Sequence, residues 1–231
     1  MSIPELNVPR YKWKGLTFAV DVCLHFLFPE QCPVCGKLAT PGCDGCIASL
    51  ALPLLPRCPK CGRPYPCSIH KGLFPLISGN FHEGLNRSLI LELKYRNNSG
   101  LGKILGRALA KKIGRPFGDY LVPVPLHKKS RRRYNQAALI AEGISEVWGE
   151  PVKDVLSWHP GVSSQVFKSQ AERRLLPSDA VINIDGDLKD RTFVLIDDVS
   201  TTGSTLTVCE KAISRSGGHV IGAITWTVSD Y

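Results

Sequence analysis

Apolar positions after residue 73 recur with two alternating periods. A short β-like run at Leu76–Phe81 precedes Leu85–Tyr95, where Leu85, Leu89, Ile90 and Leu93 return at helical spacing, and a second helical pattern covers Leu101–Ile113. Tyr120-Leu-Val-Pro-Val-Pro125 reads as a short strand closed by a proline-bounded turn. A basic stretch, His127–Arg133, then leads into a helix from about Asn135 to Trp148. Asp179–Ile184 and the wholly apolar Phe193–Ile196 read as strands, Thr205–Ser216 as a helix and His219–Val228 as a β-rich run. Strands alternating with helices of this length predict an α/β fold on a doubly wound, mostly parallel sheet.

The first third breaks that pattern and is rich in cysteine. Of nine cysteines, seven lie between Cys32 and Cys67, with only Cys23 and Cys209 elsewhere. A length of 231 residues suits one substantial domain plus a small module, and 43% hydrophobic content supplies a core and excludes intrinsic disorder. The net charge of +9 is moderately basic. No stretch approaches the roughly 18–20 uninterrupted apolar residues of a membrane span, since Gly15–Phe28 is broken by Asp21 and His25. Met1–Asn7 is not basic and no small-residue cleavage site follows, so the expectation is a soluble, cytoplasmic protein.

Thiols paired at short spacing in such a compartment bind metal more readily than they form a disulfide framework. The hooks are Cys32-Pro-Val-Cys35, Cys43-Asp-Gly-Cys46, Cys58-Pro-Lys-Cys61 and Cys67-Ser-Ile-His70. Each lets two ligands converge on one tetrahedral ion, and Gly36 and Gly62 supply the positive φ that brings backbone close to the sulfurs. Eight ligands make two closed zinc sites. Sequential pairing gives Cys32, Cys35, Cys43 and Cys46 for one and Cys58, Cys61, Cys67 and His70 for the other; an interleaved pairing is the alternative. With every position filled by protein, both ions would be structural and add folding energy to a segment too short for its own core. Cys23 and Cys209 read as ordinary buried thiols.

The densest chemistry lies in Phe193-Val-Leu-Ile-Asp-Asp-Val-Ser-Thr-Thr-Gly-Ser-Thr205. A buried strand runs into two acids, a hydroxyl-rich loop and a helix start. In open α/β sheets a ligand binds beyond the carboxyl ends of the strands, where free N–H groups at a helix N-terminus attract phosphate. Ser200, Thr201, Thr202, Ser204 and Thr205 add hydroxyls, and Gly203 lets the backbone approach the anion. Asp197 and Asp198 would repel a phosphate unless they face ribose hydroxyls or a metal.

Val194–Thr205 resembles the phosphoribosyl-pyrophosphate (PRPP) motif of type I phosphoribosyltransferases. Leu93-Lys-Tyr95, Val122-Pro-Val-Pro-Leu126, Arg132-Arg-Tyr-Asn-Gln-Ala137 and Gln170-Ala-Glu-Arg-Arg174 narrow the resemblance to the ComF family, which includes competence-associated ComFC and GntX-like proteins. The cysteine hooks resemble that family's double zinc ribbon, although its last hook usually ends in cysteine where this chain has His70. Residues 1–28 are expected to form an N-terminal helical segment; the resemblance, which covers nearly the whole chain from Phe28 on, implies a double zinc ribbon at 29–72 and a phosphoribosyltransferase-like domain at 73–231. It implies that Asp197 and Asp198 hold the ribose 2′- and 3′-hydroxyls, that Ser200 to Thr205 surround the 5-phosphate, and that Mg²⁺ accompanies PRPP. Lys128, Lys129, Arg131, Arg132 and Arg133 suit the pyrophosphate, and Arg173 and Arg174 sit in a polar stretch, Gly161–Arg174, able to close over the reacting centre.

Gly100-Leu-Gly-Lys-Ile-Leu-Gly106 imitates a dinucleotide fingerprint, but its last glycine is one position late and a helix, not a strand, precedes it. No Gly-x4-Gly-Lys-Ser/Thr loop occurs, which excludes a P-loop nucleotide triphosphatase. Two function classes follow. One is a Mg²⁺-dependent phosphoribosyltransferase in which Arg132 and Arg173 assist the two aspartates. The other is a PRPP or nucleotide sensor whose zinc ribbons and basic surface engage single-stranded DNA or a DNA-uptake partner. For the first, an unknown acceptor must be held by Leu76–Tyr95 or the Trp226 region; for the second, Tyr134 and Tyr95 are the candidate stacking aromatics.

Overall fold

The computed structural model describes residues 31–39, 41–96, 98–115, 118–127, 130, 132–160 and 176–229. The expected helical segment at 1–28, Cys23, Lys128, Lys129, Arg131 and the whole Gly161–Arg174 stretch, with Arg173 and Arg174, lie outside them.

The described elements are α1 (Asp44–Leu50), β1 (Leu76–Phe81), α2 (Gly84–Tyr95), α3 (Ser99–Lys112), β2 (Tyr120–Pro123), α4 (Gln136–Trp148), β3 (Leu156–Trp158), β4 (Val181–Asn183), β5 (Thr192–Ser200), α5 (Ser204–Arg215) and β6 (His219–Val228). Four strands form one sheet in the order β1-β6-β5-β2, and every neighbouring pair is parallel. The expected α/β class is therefore present. An antiparallel hairpin, β3 with β4, stands apart from that sheet.

Alternation along β5 shows how the sheet is wound on both faces. Val194 and Ile196 point into a core with Leu89 and Leu93 of α2, Leu105 and Leu109 of α3 and Ile140 of α4. Phe193 and Leu195 point the other way, toward Leu206, Cys209 and Ile213 of α5 and toward Leu156 and Val181 of the hairpin. A central strand covered on both sides must be apolar at successive positions, which is why this run carries no alternation. Cys209 is a buried core thiol, as expected.

Local signals set the helix starts. The Asn135 side chain accepts from Ala137 N–H at 3.1 Å and caps α4, and Asn98 accepts from Leu101 N–H to cap α3. The glycines of the false dinucleotide fingerprint serve packing, because a Cβ on Gly106 would collide with the Ile140 carbonyl oxygen of α4.

The cysteine-rich segment lies on this framework through two anchors. Ile47 and Ala51, in and just after α1, are buried in the core shared by α3 and α4. Further along, Arg57 and Leu76 exchange backbone hydrogen bonds at 3.0 and 2.9 Å, while Leu52 and Leu54 N–H donate to Gly79 and Ser78 carbonyls. Among the described residues no helix is long and apolar enough to cross a membrane.

Candidate active site

β5 delivers Asp197 and Asp198 to the carboxyl end of the sheet, and the chain bends through Thr201–Gly203 into α5. A cleft of about 500 Å³ opens there. Ser200, Thr201, Thr202, Gly203, Ser204 and Thr205 form one wall. Val124 to His127, at the end of β2, form another with Arg132, and His82 and Lys94 close the side toward β1. Gly203 caps α5 in the left-handed region at φ 64°, which glycine adopts without strain. Its carbonyl accepts from both Thr207 N–H, at 2.9 Å, and Thr207 Oγ1, at 3.0 Å, so the first turn of α5 holds the bend.

The acids differ in environment. Lys94 Nζ lies 2.9 Å from Asp198 Oδ2, an ion pair with little solvent access that is not aligned as a hydrogen bond. Asp197 Oδ1 accepts the Asp198 backbone N–H at 2.8 Å. Burial, compounded by the Asp198 charge, nevertheless pushes the Asp197 carboxyl up to about 7, against the opposing pull of that N–H, Lys94 and Arg132. A hydrogen-bonding diol or a cation facing the two carboxyls would complete the site. Ser200 Oγ is buried there without a hydrogen-bond partner among the described residues. An unpaired buried hydroxyl is costly unless a ligand completes it.

His82 and Lys94 are cleft residues to which the sequence assigned no role. His82 follows β1 and its Nδ1 lies 2.8 Å from Thr227 Oγ1 at the end of β6; burial, with Lys94 and Arg87 nearby, lowers its pKa. Lys94 belongs to the Leu93-Lys-Tyr95 stretch, which carried a resemblance but no assigned role.

Other expected residues are placed as follows. Arg132 lines the cleft and its Nη1 donates to Gln136 Oε1 at 3.0 Å, whereas Arg133 is exposed and is not among the lining residues. Trp226 is fully buried in the core, so among the described residues only Leu76–Tyr95 of the two expected regions reaches the cleft. Tyr134 packs against the core and its hydroxyl donates to the Leu93 carbonyl at 2.7 Å, which ties α4 to α2 rather than presenting a stacking face.

The eight expected metal ligands form two groups, Cys32/Cys35/Cys43/Cys46 and Cys58/Cys61/Cys67/His70, each with its ligand atoms within 4.8 Å of one another. This is the sequential pairing. A tetrahedral zinc with its usual bond lengths sets ligand edges of about 3.8 Å between sulfurs and about 3.6 Å from sulfur to nitrogen. The observed separations are 3.8 Å for Cys35–Cys43, 3.6 Å for Cys61–Cys67 and 3.6 Å for Cys58 Sγ to His70 Nδ1. Gly36 and Gly62 have φ of 71° and 66°, as the hooks require. Each group could therefore hold a zinc ion.

No family model matches the chain, and no curated protein matches it. Among solved structures it is similar to a purine phosphoribosyltransferase from Pyrococcus horikoshii, at 21% identity and a TM-score of 0.34 over 55% of this chain and 79% of that one. It is also similar to adenine phosphoribosyltransferase from Leishmania tarentolae, at 15% identity and a TM-score of 0.34 over 56% and 71% of the two chains. A third is UMP synthase from Leishmania donovani, at 16% identity and a TM-score of 0.32, where 61% of this chain covers 24% of that one. Likeness this distant leaves function to be read from the cleft itself.

Proposed function

We propose that the protein is a ComF-type, PRPP-binding phosphoribosyltransferase acting in the cytoplasm. It transfers the 5-phosphoribosyl group of PRPP to an unknown acceptor and releases pyrophosphate. The observation that carries this reading is the juxtaposition of Asp197 and Asp198 with a hydroxyl-lined loop and the N-terminus of α5 in one cleft. The Val194–Thr205 motif resemblance points the same way.

In this reading Asp197 and Asp198 accept hydrogen bonds from the ribose 2′- and 3′-hydroxyls, which repays the burial of two carboxylates. Backbone N–H groups and hydroxyls from Ser200 to Thr205 take the 5-phosphate. Lys94 pairs with Asp198, and Arg132, with Lys128, offers positive charge to the pyrophosphate. The nucleophilic nitrogen of the acceptor forms a bond to ribose C1 while the C1–oxygen bond breaks, its electron pair leaving on pyrophosphate. Catalysis is positioning and charge stabilisation, with Arg173 of the polar stretch available to complete it. The cleft's carboxylate and hydroxyl oxygens match the oxygen-only preference of Mg²⁺, which would neutralise leaving-group charge. The two zinc ions are structural.

Calorimetric titration of PRPP with Mg²⁺ into the wild type and into Asp197→Asn/Asp198→Asn tests the reading. Binding to the wild type that is lost in the double variant supports it. No binding to folded, zinc-loaded wild type defeats it and turns attention to single-stranded DNA or a DNA-uptake protein as the partner.

A further inference from the structure

The cleft loop meets the second cysteine group directly. Gly203, at the tip of the loop, is buried, and a Cβ there would overlap the carbonyl oxygen of Pro59 and lie 3.2 Å from its Cβ. Pro59 is the residue after Cys58 in the Cys58-Pro-Lys-Cys61 hook, so it stands between two ligands of one group. Its ring fixes φ, and hydrogen bonds from Cys58 N–H to Arg63 O at 2.7 Å and from Gly62 N–H to Cys58 O at 3.0 Å close the hook around it. Just upstream, Arg57 is hydrogen-bonded to Leu76 of β1, in the sheet that carries the two aspartates. The hook is thus registered to the sheet on one side and presses on the loop at the other.

Beyond the two Thr207 bonds to the Gly203 carbonyl, the loop's own side chains add little packing. Thr201, Thr202 and Ser204 are small and polar and only partly buried, and Thr202 Oγ1 and Ser204 Oγ satisfy each other at 2.9 Å. Holding backbone N–H groups in one direction for an anion costs conformational entropy that such residues cannot offset by packing. The first cysteine group gives no such support. Its Pro41 packs on Gly100 and its Asp44 pairs with Arg107, both on α3.

We infer that the Cys58/Cys61/Cys67/His70 group is a positioning element for the Ser200–Thr205 loop: metal held there fixes the Pro59 carbonyl against Gly203 and so preorganises the loop for a phosphate. The inference rests on reading that loop as the phosphate cradle. Coupling of this kind is reciprocal, so disturbing the loop must also loosen the metal.

Hydrogen exchange on the full chain tests it without a ligand. In Cys58→Ser/Cys61→Ser, amides of residues 199–206 should exchange about tenfold faster or more than in wild type, whereas Cys32→Ser/Cys35→Ser should leave them unchanged. Equal protection in both variants overturns the inference whether or not PRPP binds. Calorimetry with PRPP and Mg²⁺ on the wild type reports separately on the proposed function. Should the first variant fail to fold, Gly203→Ala in zinc-loaded protein gives the answer from the other side. Release of one of two zinc ions to a chromophoric chelator should then accelerate about tenfold or more, with the other ion unaffected. Unchanged release of both ions, or fewer than two zinc ions per chain in protein purified without added metal, overturns it.

Discussion

In each of the two cysteine groups the first hook is closed in the same way. Cys32 and Cys58 N–H donate to Lys37 and Arg63 carbonyls, both at 2.7 Å, and Gly36 and Gly62 N–H donate back to the leading cysteines at 2.9 and 3.0 Å. Their second halves diverge. Cys43 and Cys46 come from the start of α1, whose Ile47 sinks into the helical core, while Cys67 and His70 come from irregular chain that follows the hook lying between β1 and Gly203 of the cleft loop. Ligand chemistry alone therefore does not determine what a metal group does. The element it is tied to decides whether it stiffens a helix layer or a binding loop.

Three changes sharpen or break that contrast. The largest effect should come from Ile47→Ala, which empties a fully buried position in the α3/α4 core. A loss of about 3 kcal/mol, or about 6–12 °C in Tm, is expected by thermal unfolding, with protection of the cleft loop intact. Loosening of residues 199–206 in that variant would erase the distinction between the groups.

Next comes the charge in the cleft. The Asp197 carboxyl is raised from its usual 3.8 to about 7 in the folded chain. Its protonated form therefore contributes stability that is complete below about pH 4 and is lost as pH rises through 7. Asp197→Asn keeps the neutral state throughout, so its Tm advantage over wild type should widen between pH 4 and 7, reach on the order of 5 °C, and level off above. A pH-independent gap would mean that the acid is not held in the environment described.

The smallest effect is expected at Arg107, which reaches Asp44 of α1 at 3.2 Å and Glu146 of α4 at 3.0 Å. These are solvent-facing pairs, so Arg107→Ala should cost about 0.5–1 kcal/mol, roughly 2 °C, and less in high salt. A much larger loss would indicate that the first group hangs on its ion pairs rather than on Ile47.

The sheet and the cleft loop were legible in the sequence because their information is contiguous. Leu76–Phe81 and His219–Val228 were bounded where the structure ends them, and Phe193–Thr205 carries strand, acids and loop in one run. The strand does continue through both aspartates to Ser200, since pairing with β6 extends to Val228. What could not be read depends on distant chain. The α1 helix has seven residues, the first three of them, including a glycine, belonging to the Cys43–Cys46 hook, and it exists because Ile47 finds a core made by α3 and α4. The three-residue β3 exists because β4 pairs with it. His82 and Lys94 reach the acids because β1 joins the sheet beside β6 and α2 follows it, a placement written in strand order that the short Leu93-Lys-Tyr95 stretch does not reveal.

Strand order also leaves two margins to the sheet, and both are occupied. Along β1, backbone from Leu52, Leu54 and Arg57 takes the outward hydrogen bonds; along β2, Leu121 bonds to Pro151 and Lys153. An uncovered margin is a template onto which a second copy can add its own strand. The cysteine-rich segment is thus also a guard against self-association, and a chain whose hook had come away would be one step from joining another.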